Sequence, residues 1–187
     1  MVSLSNMYVI YGPSGSGQDS IAEGLEKKIA SERVITTVTR SMRPTESQGH
    51  PYYFITREAF EDKIKNGELL EYLQKYDGIY YGVTAHEVER VAQSGKVGIW
   101  KVDFAGARDL KKRFPELTVI FINAPLSVIE ERIRKRDNPT EEYLQTRLNH
   151  IREWLPKSIY DYKIENEEGK LEQAIEQAYN IITKHSA

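Results

Sequence analysis

A glycine-rich segment that could bind phosphate follows an apolar run at residues 7–11. A strand, a glycine turn and a helix N-terminus in this order offer backbone N–H groups to an anion. The spacing fits GxxxxGK[ST] through its last glycine, but Gln18 stands where lysine is expected and Asp19 where the Mg²⁺-binding Ser or Thr is expected. The segment therefore predicts a phosphate site that lacks its usual cation, and the alternative is a plain strand-to-helix turn. Its candidate binding residues are Gly12, Ser14, Gly15, Ser16, Gly17, Gln18, Asp19 and Ser20.

A basic run at residues 132–136 is the second candidate for phosphate chemistry. It contains Arg132 and Arg136, and Arg147 lies beyond a polar break at residues 137–139. Guanidinium groups bind phosphate oxygens through paired hydrogen bonds and can offset charge during phosphoryl transfer. A run of this kind is equally typical of a solvated helix face paired with neighbouring glutamates. At this point the sequence leaves both interpretations open.

The elements that would position these residues alternate between strands and helices. Apolar or β-branched stretches predict strands at residues 7–11, 33–39, 96–103 and 118–123. Helical spacing, caps and stop signals predict one helix after the glycine turn and others at residues 57–66, 84–94, 105–114, 126–136, 141–155 and 171–184. This alternation predicts an α/β fold, with a parallel sheet covered by helices on both faces.

Residues 40–83 interrupt the alternation, and we interpret them as an inserted lobe. The core would then comprise residues 1–39 and 84–187. Clustered tyrosines ordinarily fill the core of a β-rich lobe, so we expect about half of those found here to be structural. The six tyrosines concerned are Tyr52, Tyr53, Tyr72, Tyr76, Tyr80 and Tyr81.

Composition excludes several classes of protein. The 187 residues are enough for one well-filled domain, and the absence of cysteine excludes disulfides, thiolate metal sites and cysteine nucleophiles. The net charge of -2 argues against wholesale nucleic-acid or membrane binding. No apolar run approaches the length of a membrane span, and the first residues lack a signal-peptide pattern. We therefore expect a cytoplasmic protein with neither nucleic acid nor membrane as partner.

Seven segments, in order and near the expected spacings, make the whole chain resemble the guanylate kinase family. They lie at residues 12–17, 36–44, 52–54, 67–72, 80–82, 102–107 and 132–136. The resemblance implies a P-loop core with three α/β/α layers, an inserted GMP-binding lobe and a helical lid at about residues 136–142. It also implies phosphoryl transfer from ATP to GMP, with Mg²⁺ as the metal cofactor, by a monomer or a homodimer.

The same resemblance implies roles for individual residues. The lid residues Arg136 and Arg147 would act on the phosphates, with Arg132 as a third, and Asn166 would contact adenine. Glu71 would read guanine, because a carboxylate can accept from the N1–H and the exocyclic amine together. The full set of implied substrate-binding residues is Thr36, Arg40, Arg43, Tyr52, Glu71, Tyr81, Thr84 and Asp103.

Two further positions depart from the family pattern: Lys101 replaces an aspartate, and Val83 replaces Ser or Thr. We hypothesise that Lys101 supplies the missing cation from the neighbouring strand, while Asp19 binds or orients Mg²⁺. The alternative is that Lys101 only pairs with Asp19 or Asp103 in an inactive remnant. Because the P-loop lysine is missing, the chain could instead be a phosphopeptide-binding module without catalytic activity. Asp19 favours a third interpretation, a ribose bisphosphate-forming kinase.

Overall fold

The structure is a computed structural model that describes residues 3–44, 46–74 and 78–185. Its strands are β1 (Met7–Tyr11), β2 (Ser31–Arg33), β3 (Thr37–Val38), β4 (Ser47–Gln48), β5 (Pro51–Phe54), β6 (Leu69–Gln74), β7 (Tyr80–Thr84), β8 (Val97–Lys101), β9 (Thr118–Asn123) and β10 (Tyr162–Glu165). Its helices are α1 (Gln18–Lys28), α2 (Arg57–Lys65), α3 (Ala85–Ala92), α4 (Phe104–Arg113), α5 (Leu126–Asp137), α6 (Glu141–Trp154) and α7 (Leu171–His185).

A parallel five-stranded sheet forms the centre, in the order β10-β9-β1-β8-β2. Every residue of β1 is buried, as expected for a strand with neighbours on both sides and helices on both faces. Met7, Val9 and Tyr11 pack with residues of α3, α4 and α6, whereas Tyr8 and Ile10 pack with α1 and α7. The two-residue alternation of a strand thus produces three layers, and the predicted α/β fold is confirmed.

A second sheet, in the order β4-β5-β3-β7-β6, is built between residues 37 and 84. In this sheet β7 pairs antiparallel with both β3 and β6, and the pairing of β6 with β7 shifts register between Leu69 and Glu71. The helix α2 contributes the fully buried Phe60, on which Tyr80 stacks at 5.1 Å between ring centroids. Tyr76 of the tyrosine cluster lies outside the described residues.

The prediction of one strand over residues 33–39 is wrong. After β2, the Val34 N–H still donates to the Ile99 carbonyl of the core sheet at 2.9 Å, but the next N–H, of Ile35, donates to the Glu87 carboxylate. The chain then enters the second sheet as β3. Val, Ile and Thr favour extended backbone, but they do not determine which sheet the extended backbone joins.

Strand β10 was not predicted, because its four residues alternate between exposed and partly or fully buried positions without an apolar run. It adds a fifth strand beside β9 and ends next to Asn166. Among the described helices, none combines the length and the apolar character that a membrane crossing requires.

Candidate active site

The glycine loop connects β1 to α1 and is shaped by close backbone contacts. A Cβ at Gly12 would overlap the Ile122 carbonyl oxygen of β9, and Gly17 has φ 90° and ψ 18°, in the left-handed region. Gly17 has no side chain to accept from the first N–H groups of α1. The loop can therefore offer these groups to an anion at the positive end of the helix dipole.

Asn166, predicted to contact adenine, and Arg132, predicted as a third lid arginine, both bind backbone carbonyls of this loop. Asn166, only 2% exposed, donates from Nδ2 to the Ser16 carbonyl at 2.7 Å. Arg132 donates to the Gly15 carbonyl at 3.3 Å and also bonds the Glu168 carboxylate at 3.1 Å. Because a trans peptide points its C=O and N–H in opposite directions, the bond from Asn166 aims the Gly17 N–H away from Asn166. A contact of Asn166 with adenine stays a prediction.

Lys101 reaches the glycine loop from the neighbouring strand. Ile10 of β1 is in register with Lys101 at the end of β8, and parallel strands end at the same edge of the sheet. The Lys101 ammonium donates a hydrogen bond to the Asp19 carboxylate; the two side chains are 34% and 57% exposed. Gln18, beside them, has a buried Oε1 that finds no hydrogen-bond partner among the described residues. The positive charge missing from residue 18 is therefore present at the same loop.

The lid arginines meet the loop at Ser14. Arg136, near the end of α5, and Arg147, on α6, donate to the Ser14 hydroxyl at 3.0 and 2.8 Å. Both also donate to Asp137: Arg136 through two hydrogen bonds of 2.8 Å, and Arg147 at 3.0 Å. Two of the three predicted lid arginines thus converge on the glycine loop.

Three of the predicted GMP-phosphate residues come together in the second sheet. The Arg40 guanidinium lies 5.3 Å from the ring centroid of Tyr52, which packs edge-on against Tyr81 at 6.2 Å. The hydrogen bonding of Arg40 to the Glu46 carboxylate is the largest cause of the raised pKa of Arg40, and Tyr81 contributes in the same direction. The side chain of Arg43 is exposed.

Glu46 was missed by the sequence analysis. It accepts two hydrogen bonds from Arg40, at 2.6 and 2.5 Å, and one from the Arg43 N–H at 2.9 Å. The side chains of Arg40 and Glu46 are only 13% and 10% exposed, and the pairing lowers the Glu46 pKa to about 2. The signal available in the sequence was the three-residue spacing of Arg40, Arg43 and Glu46.

The predicted guanine-reading residue Glu71 lies beside Asp103. Burial, followed by the negative charges of Asp103 and Asp109, raises the Glu71 pKa to about 7. Glu71 and Gly106 line a cavity of about 390 Å³ between β6 and α4. The Glu71 carboxylate is thus a hydrogen-bond acceptor in the wall of this cavity. An acceptor of this kind is needed to select a base that presents two adjacent donors.

Several predicted residues have structural contacts of their own. Thr84 caps α3 by accepting from the Glu87 N–H at 3.2 Å, and Asp103 caps α4 by accepting from the Gly106 N–H at 2.8 Å. Val83 is fully buried in the core, so its side chain does not line the cavity beside Glu71. Ser16 is fully buried in the loop, Ser20 is exposed on α1, and the Thr36 carbonyl accepts from the Tyr53 N–H.

Comparison with known proteins gives matches along nearly the whole chain. A family model described as guanylate kinase matches residues 4–185. The guanylate kinase of Fusobacterium nucleatum subsp. nucleatum is 37% identical over 183 residues, which are 97% of each chain. The guanylate kinase of Clostridium tetani is 36% identical over 179 residues, or 95% of this chain and 85% of that one.

A solved structure shares the fold. The crystal structure of guanylate kinase from Anaplasma phagocytophilum superposes with a TM-score of 0.68 and 24% identity, covering 95% of this chain and 85% of that chain. The family match therefore extends over the glycine loop, the second sheet and the lid alike.

Proposed function

This chain belongs to the guanylate kinase family, and from that premise we propose that it transfers the terminal phosphoryl group of ATP to GMP, giving ADP and GDP. The observation that carries the proposal is the match, over 97% of both chains, to the guanylate kinase of Fusobacterium nucleatum. The site supports it with two separate phosphate-binding regions. One lies at the glycine loop and the lid, and the other surrounds Arg40 in the second sheet.

On the donor side, the ATP phosphates bind the N–H groups of the glycine loop, with Arg136 and Arg147 on the lid side. Phosphoryl transfer needs positioning and charge stabilisation more than covalent chemistry from the protein, so converging cations are its main requirement. Both arginines already point at Ser14 of the loop. Closure of the lid over bound nucleotide also excludes water from the transfer.

On the acceptor side, Arg40, Arg43, Tyr52 and Tyr81 bind the GMP phosphate. Glu71 in its ionised form accepts from the guanine N1–H and amine, with Asp103 close to the Glu71 carboxylate. Adenine presents no such pair of donors, so this contact selects GMP over AMP. Thr36 is the second residue that we propose reads the base. Because Glu46 already occupies the Arg40 guanidinium, GMP binding requires Arg40 to share or exchange this partner.

Asp19 fits the role of protein ligand to Mg²⁺. Among the described residues, no three acidic or histidine side chains come together as a metal site. Mg²⁺ at nucleotide sites is normally held by one or two carboxylates together with phosphate oxygens and water, and the exposed Asp19 carboxylate at the loop matches that pattern. An ion held by Asp19 would supply positive charge that offsets the charge of the phosphates during transfer.

We also propose that Lys101 performs the work of the missing P-loop lysine. Its support is the hydrogen bond to Asp19, which puts the ammonium at the first turn of α1. When nucleotide binds, Lys101 turns to the β- and γ-phosphates, and the Asp19 carboxylate, no longer paired with Lys101, would be able to hold Mg²⁺. Lys101 and Asp19 then exchange partners without a change in the charge of the loop.

The experiment is ATP-dependent GMP phosphorylation by the wild type and by Lys101→Ala. We expect kcat to fall by roughly 10²–10³-fold in the variant, the usual cost of removing a charge-stabilising donor. Adding Gln18→Lys to Lys101→Ala should recover part of that loss, because it returns the cation to the loop. Lys65→Ala is the control, since this lysine pairs only with Asp62 on the exposed face of α2 among the described contacts.

Full activity of Lys101→Ala would contradict the role of Lys101. A wild type that shows no turnover but binds phosphopeptide would favour the phosphopeptide-binding module. Phosphorylation of a ribose bisphosphate precursor would favour the ribose bisphosphate-forming kinase.

A further inference from the structure

Asp137 is the point at which the two lid arginines are joined. Its Oδ1 and Oδ2 accept from Nε and Nη2 of Arg136 at 2.8 Å each, and Oδ2 also accepts from Nη1 of Arg147 at 3.0 Å. The remaining Nη2 of Arg147, and Nη2 of Arg136 as well, donate to the Ser14 hydroxyl. Two arginines, one carboxylate and one hydroxyl thus form a closed ring across the mouth of the glycine loop.

The local backbone places the Asp137 carboxylate between the two helices. Asp137 is the last residue of α5, and Asn138 follows in the left-handed conformation, with φ 41° and ψ 52°. This conformation ends α5 abruptly, and Thr140 then caps α6 by accepting from the Tyr143 N–H at 3.3 Å. Asn tolerates the left-handed region better than most residues, so the turn suits its sequence.

The charges explain why a carboxylate is needed there. Two guanidinium groups that share one hydroxyl repel each other, and the neutral Ser14 does not offset that repulsion. Asp137 supplies the compensating charge; the hydrogen bonds from Arg136 are the main reason that the Asp137 pKa is lowered. Without Asp137, Arg136 and Arg147 would be expected to separate into solvent, since both lie on the partly exposed surface of the lid.

We propose that Asp137 is a positioning residue for phosphoryl transfer, which sets Arg136 and Arg147 over the glycine loop before ATP binds. This inference rests on the proposed function. Asp137 does not contact the reacting atoms; it fixes the orientation of two side chains that do. Orientation fixed in advance lowers the barrier of the chemical step more than it strengthens ground-state binding.

The test is steady-state kinetics of GMP phosphorylation by Asp137→Ala, Asp137→Asn and the wild type. In Asp137→Ala we expect kcat to fall about tenfold, while the KM for GMP is unchanged and the KM for ATP changes less than threefold. Asp137→Asn keeps one acceptor oxygen but loses the charge, so its kcat should lie between those of the other two proteins. With its side chain 29% exposed, Asp137 is not expected to be needed for folding.

Glu130→Gln is the matched control, because it removes a carboxylate that pairs with Arg134 on the same helix and has no contact with the ring among the described bonds. It should retain wild-type kcat and KM. Circular dichroism and the unfolding temperature of each variant establish that it is folded.

Two results would overturn the inference: an unchanged kcat in Asp137→Ala, or an equal loss in Glu130→Gln. An unchanged kcat together with a lower KM for ATP would mean that Asp137 only competes with nucleotide for the arginines. Absence of turnover in the wild type is a different outcome, because it overturns the proposed function itself and the inference with it.

Discussion

Protonation of Glu71 should have a measurable effect on the stability of the protein. Its folded-state pKa of about 7 lies above the ordinary 4.5, so the folded protein binds this proton more tightly than the unfolded chain does. The free energy of unfolding should therefore fall by about 3 kcal/mol as pH rises from about 4.5 to about 7. Urea denaturation across this range checks it. Glu71→Gln should lose this part of the pH dependence and be the more stable protein at high pH; equal slopes would contradict the assignment.

GMP binding should show the opposite dependence on pH. Only ionised Glu71 can accept from both guanine donors, so GMP affinity should increase roughly tenfold as pH rises from about 6 to about 8. The GMP phosphate also titrates near pH 6, and this contribution remains in Glu71→Gln. Calorimetric titration of both proteins isolates the effect of Glu71. Parallel pH profiles for the two proteins would mean that Glu71 does not contact the base.

At the scale of residues, the sequence predicts which side chains lie close together where the register of paired strands determines their positions. The meeting of Lys101 with the glycine loop follows from two adjacent parallel strands that end at one edge. Glu46 and Asp137 were not predicted as partners of arginine, because their positions depend on loop and turn conformations. A left-handed Asn138 is one of several conformations open to that sequence.

At the scale of elements, the contact of α1 with α7 depends on Gly24. A Cβ at this position would overlap the side chain of Ile175, which is buried on α7. Alanine gains about 1 kcal/mol over glycine in a helix, but overpacking costs about 1–3 kcal/mol. Gly24→Ala should therefore lower the free energy of unfolding by about 1 kcal/mol, as measured by chemical denaturation.

The sign of this effect should reverse when Ile175 is shortened. In an Ile175→Ala background the overlap is absent, and Gly24→Ala should then stabilise by up to ~1 kcal/mol. A destabilisation of the same size in both backgrounds would contradict steric overlap as the cause.

Helices were more predictable than strands. The predicted helix at residues 171–184 and the observed α7 differ by one residue, because a long apolar stripe and a clear start determine both ends. Thr84 caps α3 by accepting from the Glu87 N–H, but the Glu87 carboxylate binds the Ile35 N–H instead of returning to the N-terminus of the helix. That partner lies 52 residues away, beyond the reach of a local pattern.

At the scale of the whole molecule, Glu87 connects the two sheets. Its buried carboxylate accepts from the Ile35 N–H at 2.8 Å, from the Tyr53 hydroxyl at 3.3 Å and from Arg90 at 2.9 Å. Ile35 lies where the chain passes from the core sheet to the second sheet, and Tyr53 belongs to the second sheet. The crossing at Ile35 and strand β5 of the second sheet are therefore both tied to one helix, α3.

Glu87→Ala should destabilise the protein by about 2 kcal/mol. The substitution leaves the Ile35 N–H and the Tyr53 hydroxyl without their acceptor, and it removes the main ion-pair partner of Arg90. Because Arg90 is partly exposed, water reduces the cost of leaving its charge unpaired. Urea denaturation measures the loss. Lys96→Ala, which removes the exposed bond to Glu32 in the same network, should change stability by less than ~0.5 kcal/mol. Equal effects of the two substitutions would contradict the role given to Glu87.

The pairing of the proposed phosphate-binding cations with carboxylates of the chain has a consequence for how nucleotide binding depends on ionic strength. Lys101 is held by Asp19, and Arg40 is held by Glu46. Nucleotide phosphates that bind there displace side-chain carboxylates, not condensed ions from solution, so few solution ions are released. We expect the dissociation constants of GMP and ATP to rise only gently with added salt. Osmotic or saline stress would then leave the occupancy of the enzyme by its substrates nearly constant.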